Sequence, residues 1–206
     1  MTNYVEELLV EALIGAPGCP EPLVERMLRS AMVDFYRASQ AWRFTSDNTP
    51  VIKGIREVEL ELPAGTYAGR VFWVRLDGRD LRAVSTRSLA TTTGVPRGYA
   101  LDGVTRTLQL DVLPQENYLR NGLVANVAVL PMAELDTLPD ELYAFHRDGI
   151  LYGALTKLLA MPNVAWGDMQ GAATYAGMAA VIQNEARREA NSLQAPVARK
   201  VRYGGI

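Results

Sequence analysis

The sequence has little of the two side chains that most often carry catalysis and metal binding. Its 206 residues include one cysteine, Cys19, and one histidine, His146. A single cysteine cannot form an internal disulfide, which fits folding in a reducing compartment. A zinc site built on histidine needs two more ligands of that kind, so we expect no metal site and no cofactor.

Export and membrane signals are also missing. The start of the chain, which includes Glu6 and Glu7, lacks the basic residues and the apolar stretch of a signal peptide. No apolar run approaches the roughly 18 residues that a spanning helix needs. The formal net charge of -2 gives no general attraction to nucleic acid or anionic lipid. We therefore expect a soluble, unexported protein with no membrane partner.

Sequence motifs for chemistry are absent as well. There is no glycine-rich phosphate-binding motif and no G-x-S-x-G nucleophile elbow. Leu142 and Ile150 lie one helical turn on either side of His146, which favours a packing role for that histidine. Cys19 lies among prolines and glycines without a neighbouring base. We expect no catalytic residue and no enzyme, with a small Cys19- or His146-dependent enzyme as the alternative.

Apolar residues recur at helical spacing towards both ends of the chain. The first segment, residues 3–13, is followed by a helix that begins at Pro20-Glu21-Pro22 and ends near Trp42. A third helix begins at Leu138-Pro139-Asp140 and ends at Met161. The fourth covers residues 166–191 and has a narrow, alanine-rich side, which lets a neighbouring helix come close.

The middle of the chain changes to strand patterns. Residues 57–62 alternate polar and apolar side chains, and residues 71–76 form a strand that is closed by an Asp-Gly turn at positions 77–78. A second Asp-Gly turn at positions 102–103 precedes another strand, and residues 123–129 alternate again. The predicted class is α+β: a bundle of about four helices from residues 1–42 and 132–193, an inserted antiparallel β domain at 43–131, and an extended C-terminal arm at 194–206.

The C-terminal arm combines positive charge with apolar side chains. No acidic residue occurs among residues 190–206, and three apolar anchors stand between or beyond the basic residues. A solvated end that complements the helix dipole would need no such anchors. We interpret the arm as a segment that docks on an acidic neighbour, with nucleic-acid binding as a weaker alternative. The candidate partner-binding residues are Arg199, Lys200, Val201, Arg202, Tyr203 and Ile206.

Several short motifs occur in a fixed order between about residues 20 and 190. Aromatic residues end the second helix, an L-P-x-G step and a D-G-R turn follow, and G-x-P-x-x-Y, L-P-D, G-A-L-x-x-L and P-x-x-x-W come later. In this sequence they are Asp34-Phe35-Tyr36 with Trp42-Arg43, then residues 62–65, 75–79, 94–99, 138–140, 153–158 and 162–166. Together, in this order, they resemble the head-to-tail adaptor proteins of tailed phages, especially the short-tailed kind.

The resemblance implies a structural virion protein of the phage neck that is assembled in the host cytoplasm. Such adaptors form a homo-oligomeric ring below the portal, usually of twelve copies. The arm would then reach along the portal protein, and the β domain would face the tail tube or nozzle. DNA would be a partner only as it passes through the channel. A stopper, a tail-completion protein and a tail-tube protein are the alternatives within this class.

Overall fold

The computed structural model describes residues 1–102 and 107–192, which form an α+β fold with four α-helices. The predicted fold class, helices flanking a β domain, is confirmed. The residues predicted as the C-terminal arm lie outside the described residues. The helices are α1 (Tyr4–Gly15), α2 (Glu21–Ser39), α3 (Asp140–Leu159) and α4 (Met169–Ser192).

Local signals explain where the helices begin and end. The side chain of Asn3 accepts a hydrogen bond from the Glu6 backbone and so caps α1. Pro22 stands in the first turn of α2, where its missing N–H has no helical partner to lose. Gln40 ends α2 in the left-handed conformation, with φ 55°. No described helix is long and apolar enough to cross a membrane.

Helices α2 and α3 form the centre of the bundle, because each of them packs against the other three helices. Glu11 pairs with Arg147, and Gly15 lies against Leu155, so α1 runs in the same direction as α3. Helix α4 returns in the opposite direction along α3.

The described residues of the β domain form ten strands between α2 and α3. They are β2 (Arg43–Thr45), β3 (Thr49–Val51), β4 (Glu57–Val58), β5 (Thr66–Leu76), β6 (Arg79–Ala83), β7 (Thr93–Gly94), β8 (Gly98–Leu101), β9 (Leu108–Leu110), β10 (Leu113–Pro114) and β11 (Tyr118–Pro131). Seven of them form the sheet β2-β11-β5-β6-β8-β9-β4, and β3 adds to β11. The pairs β6–β8 and β7–β10 are parallel, and the other pairs of the domain are antiparallel.

The predicted hairpin at Asp77-Gly78 is confirmed. Asp77 and Gly78 have φ values of 51° and 72°, as a type I′ turn requires, and they join β5 to β6. The strand predicted at residues 57–62 is shorter, since β4 covers only Glu57–Val58. Strands β8 and β9 form the second predicted hairpin, although part of its turn lies outside the described residues.

The two halves of the molecule share one apolar core. Buried side chains from all four helices and from β5, β9 and β11 belong to a single cluster. The chain leaves the bundle at Trp42 and returns along β11, where the Val129 amide donates a hydrogen bond to the Trp42 carbonyl. At the base of the bundle, β1 (Thr2–Asn3) pairs with β12 (Thr137–Leu138). The bidentate contact of Arg29 with Asp136 fixes α2 to the same place.

Candidate functional site

The sides of α3 that no other helix covers show where the bundle is open. Three sectors of this helix are covered, each by a different helix. His146, Gly153 and Lys157 face α2, Arg147 and Leu155 face α1, and Gly149, Tyr152 and Leu159 contact Ile182, Tyr175 and Gly171 of α4. In the first half of α3, Glu141, Ala144 and Phe145 are exposed and Asp148 is half-buried, so the helix is uncovered there but not at Tyr152 or Leu159.

Exposed apolar side chains also occur on α1 and α4. On α1, Val10 and Ile14 are exposed one turn apart, on the side of the helix opposite the buried Leu8 and Ala12. On α4, Met178 and Val181 lie on one face of the helix and are exposed.

Together, these three helices expose an unusual amount of apolar surface. Phe145 is 78% exposed, Ile14 73%, Val10 63%, Val181 57% and Met178 42%. These five are nearly half of the twelve large apolar side chains that the described residues leave exposed. Large apolar side chains that are exposed close to one another are typical of a surface that another polypeptide covers.

A cleft lies between the end of α1 and the start of α4, with a volume of about 520 Å³. Pro17, Leu159, Trp166 and Tyr175 are among its lining residues. The indole Nε1 of Trp166 is buried and has no hydrogen-bond partner among the described residues. The cleft therefore offers aromatic surface, and a carbonyl brought to that nitrogen would satisfy its N–H.

The helical bundle is acidic. Residues 1–42 and 132–192 contain fourteen acidic and seven basic side chains. On the α1 side of α3, the Arg147 guanidinium already contacts two carboxylates, Glu11 at 2.5 Å and Asp148 at 3.0 Å. The bundle therefore favours a cationic ligand over an anionic one.

A second candidate surface lies on the β domain, and we call it the arginine–aromatic face. The guanidinium carbons of Arg43 and Arg70 lie 4.1 and 5.3 Å from the centre of the Phe72 ring. Arg75 stacks on Trp73 in the same way, at 4.8 Å, and its Nε donates to Asp80 at 2.6 Å. Such stacking holds guanidinium groups in fixed positions on the sheet.

Arg43 is the least satisfied member of the arginine–aromatic face. Its Nε and Nη2 are buried without a hydrogen-bond partner in the described structure. Burial, and then the charge of nearby Arg70, lower the pKa of the Arg43 guanidinium from its usual range. A carboxylate or phosphate brought to this part of the sheet would relieve both effects.

Cys19 and His146, the two side chains considered for catalysis, are both buried. His146 is buried, its Nδ1 lies 3.3 Å from the Tyr36 hydroxyl, and its ring lies 5.1 Å from that of Phe35. Burial lowers the pKa of His146, so the ring is neutral near pH 7. Cys19 is also buried, and burial raises the pKa of its thiol. The predicted packing role of His146 is confirmed.

The six partner-binding residues predicted in the arm, from Arg199 to Ile206, lie outside the described residues, and their role stays a prediction. Within residues 1–102 and 107–192, no three His, Cys, Asp or Glu side chains are grouped so that they could hold a metal ion. The sequence pattern did not predict the exposed apolar side chains of the bundle, because Val10 and Ile14 have the same one-turn spacing as core residues of α1. Exposure distinguishes them, and exposure depends on packing.

No protein-family model matches the chain, and no curated protein matches it significantly. The resemblance to head-to-tail adaptors therefore stays an expectation that rests on the motifs quoted above.

Proposed function

We propose that this protein is a structural adaptor of the phage neck, which forms a ring of about twelve copies between the portal and the tail. The observation that carries the proposal is the exposure of five large apolar side chains on the helices α1, α3 and α4. A monomer gains nothing from that exposure, whereas an assembly subunit covers it with a partner. The ordered motifs between residues 20 and 190 support the same class.

The three regions of the chain receive different roles in this proposal. The helical bundle contacts neighbouring copies and the portal, through heterologous interfaces that close by rotation. The arm, with Arg199, Lys200 and Arg202, docks on the portal. The β domain faces the tail tube or nozzle, and its arginine–aromatic face suits an acidic partner there.

The direct test is reconstitution with the cognate portal protein. Purified chain and portal rings are mixed, and the complex is measured by sedimentation velocity and electron microscopy. We expect a ring with as many adaptor copies as portal subunits. A chain that stays monomeric and unbound at micromolar concentrations of both proteins would overturn the proposal.

Deleting residues 194–206 tests the role of the arm. We expect the truncated chain to keep the helix and strand content of the full chain in circular dichroism, because all the described helices and strands lie within residues 1–192. Its portal binding should be lost. Replacing Arg199, Lys200 and Arg202 with glutamine should lower the affinity for the portal. The affinity should also depend less on salt concentration, since fewer charges are then paired. Normal docking of the truncated chain would contradict the assignment.

A further inference from the structure

The arginine–aromatic face carries positive charge that its own strands do not balance. Strands β2, β5 and β11 contain four arginines and no acidic residue. The strand register places Arg43 and Arg70 on either side of Ala128, across β11. Arg70 donates to the Gln40 amide oxygen at 3.1 Å, and among the described residues neither guanidinium pairs with a carboxylate. Two like charges held side by side therefore remain for a partner to neutralise.

The arginine–aromatic face lies on the side of the sheet that is turned away from the shared core. Val127 and Val129 are buried in that core, so Ala128 between them lies on the other side of β11. Asp80 stands beside Arg75 and already pairs with it, so it does not balance the two arginines across β11. Arginine and aromatic side chains are enriched where polypeptides meet, so this composition favours a protein partner.

A surface of the opposite charge occurs on α1 of the same chain. Residues 1–25 contain five acidic side chains and no basic one. The side of α1 that faces away from the bundle exposes Glu6, Glu7, Val10 and Ile14, and we call these four residues the outer face of α1. In the described part of the chain, no lysine or arginine pairs with Glu6 or Glu7. Each surface thus has two charges that the other can neutralise.

The two surfaces also agree in the spacing of their charged and apolar side chains. Along β5, Phe72 and Trp73 follow Arg70 by about 7–10 Å, at about 3.3 Å per residue. On the outer face of α1, the two apolar side chains follow the two glutamates by about 8 Å, at 1.5 Å per residue. A helix laid along β5 can therefore bring its carboxylates to the arginines and its apolar side chains to the aromatic rings together.

We propose that the outer face of α1 in one copy of the chain packs on the arginine–aromatic face of the next copy. The two glutamates pair with Arg43 and Arg70, and the two apolar side chains pack beside Trp73. The surfaces differ, so each copy uses one of them toward each neighbour, and such contacts close into a ring when the rotation fits. The inference rests on the proposed function, because it supplies the contact between neighbours in that ring.

Reversing one charge on each surface tests the contact. Arg70→Glu sets carboxylates against carboxylates, and Glu7→Arg sets guanidinium groups against guanidinium groups. Because like charges across an interface repel, the dissociation constant for self-association of either variant should rise at least about tenfold. Sedimentation velocity of the chain alone, from micromolar to submillimolar concentrations, measures it. Both positions are exposed, and circular dichroism verifies that both variants fold.

An equimolar mixture of these two variants decides whether the partner is a second copy. The unchanged α1 of the Arg70→Glu chain fits the unchanged sheet of the Glu7→Arg chain, and the two reversed surfaces fit each other. The mixture should therefore associate as tightly as the unmodified chain, with the two variants alternating. A mixture that stays as weakly associated as its components would overturn the contact. So would an unmodified chain that stays monomeric over the whole range.

Arg87→Glu and Glu185→Arg are the matched controls. They make the same two charge changes at exposed positions outside both surfaces, in the 3-10 helix that follows β6 and in α4. Each control should self-associate like the unmodified chain. An equal loss in the controls would mean that net charge governs the association, and would contradict the contact.

Portal and oligonucleotide binding separate the remaining outcomes, and sedimentation measures both. Recovery in the mixture without any portal binding would contradict the adaptor proposal and leave the contact intact. A portal-bound ring that neither single variant weakens would retain the adaptor and refute the contact. Binding of a single-stranded oligodeoxynucleotide that Arg70→Glu abolishes, with no recovery of self-association in the mixture, would assign the arginine–aromatic face to phosphate groups instead.

Discussion

At the scale of single residues, His146 shows how one side chain is fitted to a core. Its ring packs between aromatic neighbours, and its Nδ1 is within hydrogen-bonding distance of the buried Tyr36 hydroxyl. The apolar spacing of Leu142 and Ile150 was sufficient to predict this role, because it places the ring on a helix face that must be covered. The partner could not be predicted, since Tyr36 lies 110 positions away in the sequence.

His146 should make the stability of the protein depend on pH. Burial lowers its pKa in the folded state below the ordinary value of 6.5, so the unfolded chain binds a proton first as the pH falls. The free energy of unfolding should therefore decrease more between pH 6.5 and 5.5 in the unmodified chain than in His146→Gln. Urea unfolding at both pH values measures this difference. Parallel losses in the two proteins would contradict it.

The position of Arg43, in contrast to that of His146, could not be predicted from the sequence. Nothing local distinguishes it from the other arginines of the β domain. Its position over Phe72 depends on the pairing of β2 with β11 and of β11 with β5. Contacts across three strands arise from strand order, which a periodic pattern does not contain.

At the scale of elements, turn chemistry was the most reliable signal. The dipeptide Asp77-Gly78 predicted the β5–β6 hairpin, because few other residues adopt positive φ at both central positions without strain. The strand pattern at 57–62 was less informative. Pro63 follows it closely, and only Glu57 and Val58 find a partner, on β9. The parallel pair β6–β8 was not predicted at all, because it joins strands that a loop and a short 3-10 helix separate.

Two glycines with open surroundings should respond in opposite ways to alanine. A Cβ at Gly78 or at Gly177 would meet no atom within 4 Å, so neither substitution creates a steric clash. Gly78 has a φ of 72°, and Gly78→Ala should lower the free energy of unfolding by about 1 kcal/mol. Gly177 lies within α4, and Gly177→Ala should raise it by about 0.5–1 kcal/mol. Thermal denaturation measures both, and changes of the same sign would contradict this account.

At the scale of the whole molecule, the bundle and the β domain should unfold as one unit. Their buried side chains belong to one cluster, and Trp42 stands between them, with its ring against Tyr36 and its carbonyl bonded to Val129. Under native conditions, the slowest-exchanging amides of α3 and of β11 should report the same free energy of opening.

Replacing Trp42 tests this coupling. The side chain is 4% exposed, and Trp42→Ala should lower the free energy of unfolding by about 3–5 kcal/mol. Because the core is shared, hydrogen exchange of the α3 and β11 amides should accelerate by the same factor. Acceleration in one half alone would mean that the two halves unfold independently. Leu119→Ala on an exposed part of β11 is the matched control and should change both rates little.

The chain leaves the bundle at Trp42 and returns to it past Val129, and these two residues are hydrogen-bonded neighbours. Their closeness has a consequence for how the protein can evolve. One hydrogen bond joins the strand that leaves the bundle to the strand that returns, so the two chain ends of the β domain are as close together as neighbouring strands in a sheet. Genetic recombination at these two points would exchange the domain as a cassette without altering the spacing of α2 and α3. The same bundle could then be combined with a different domain, provided that the new domain keeps the apolar side chains that complete the shared core.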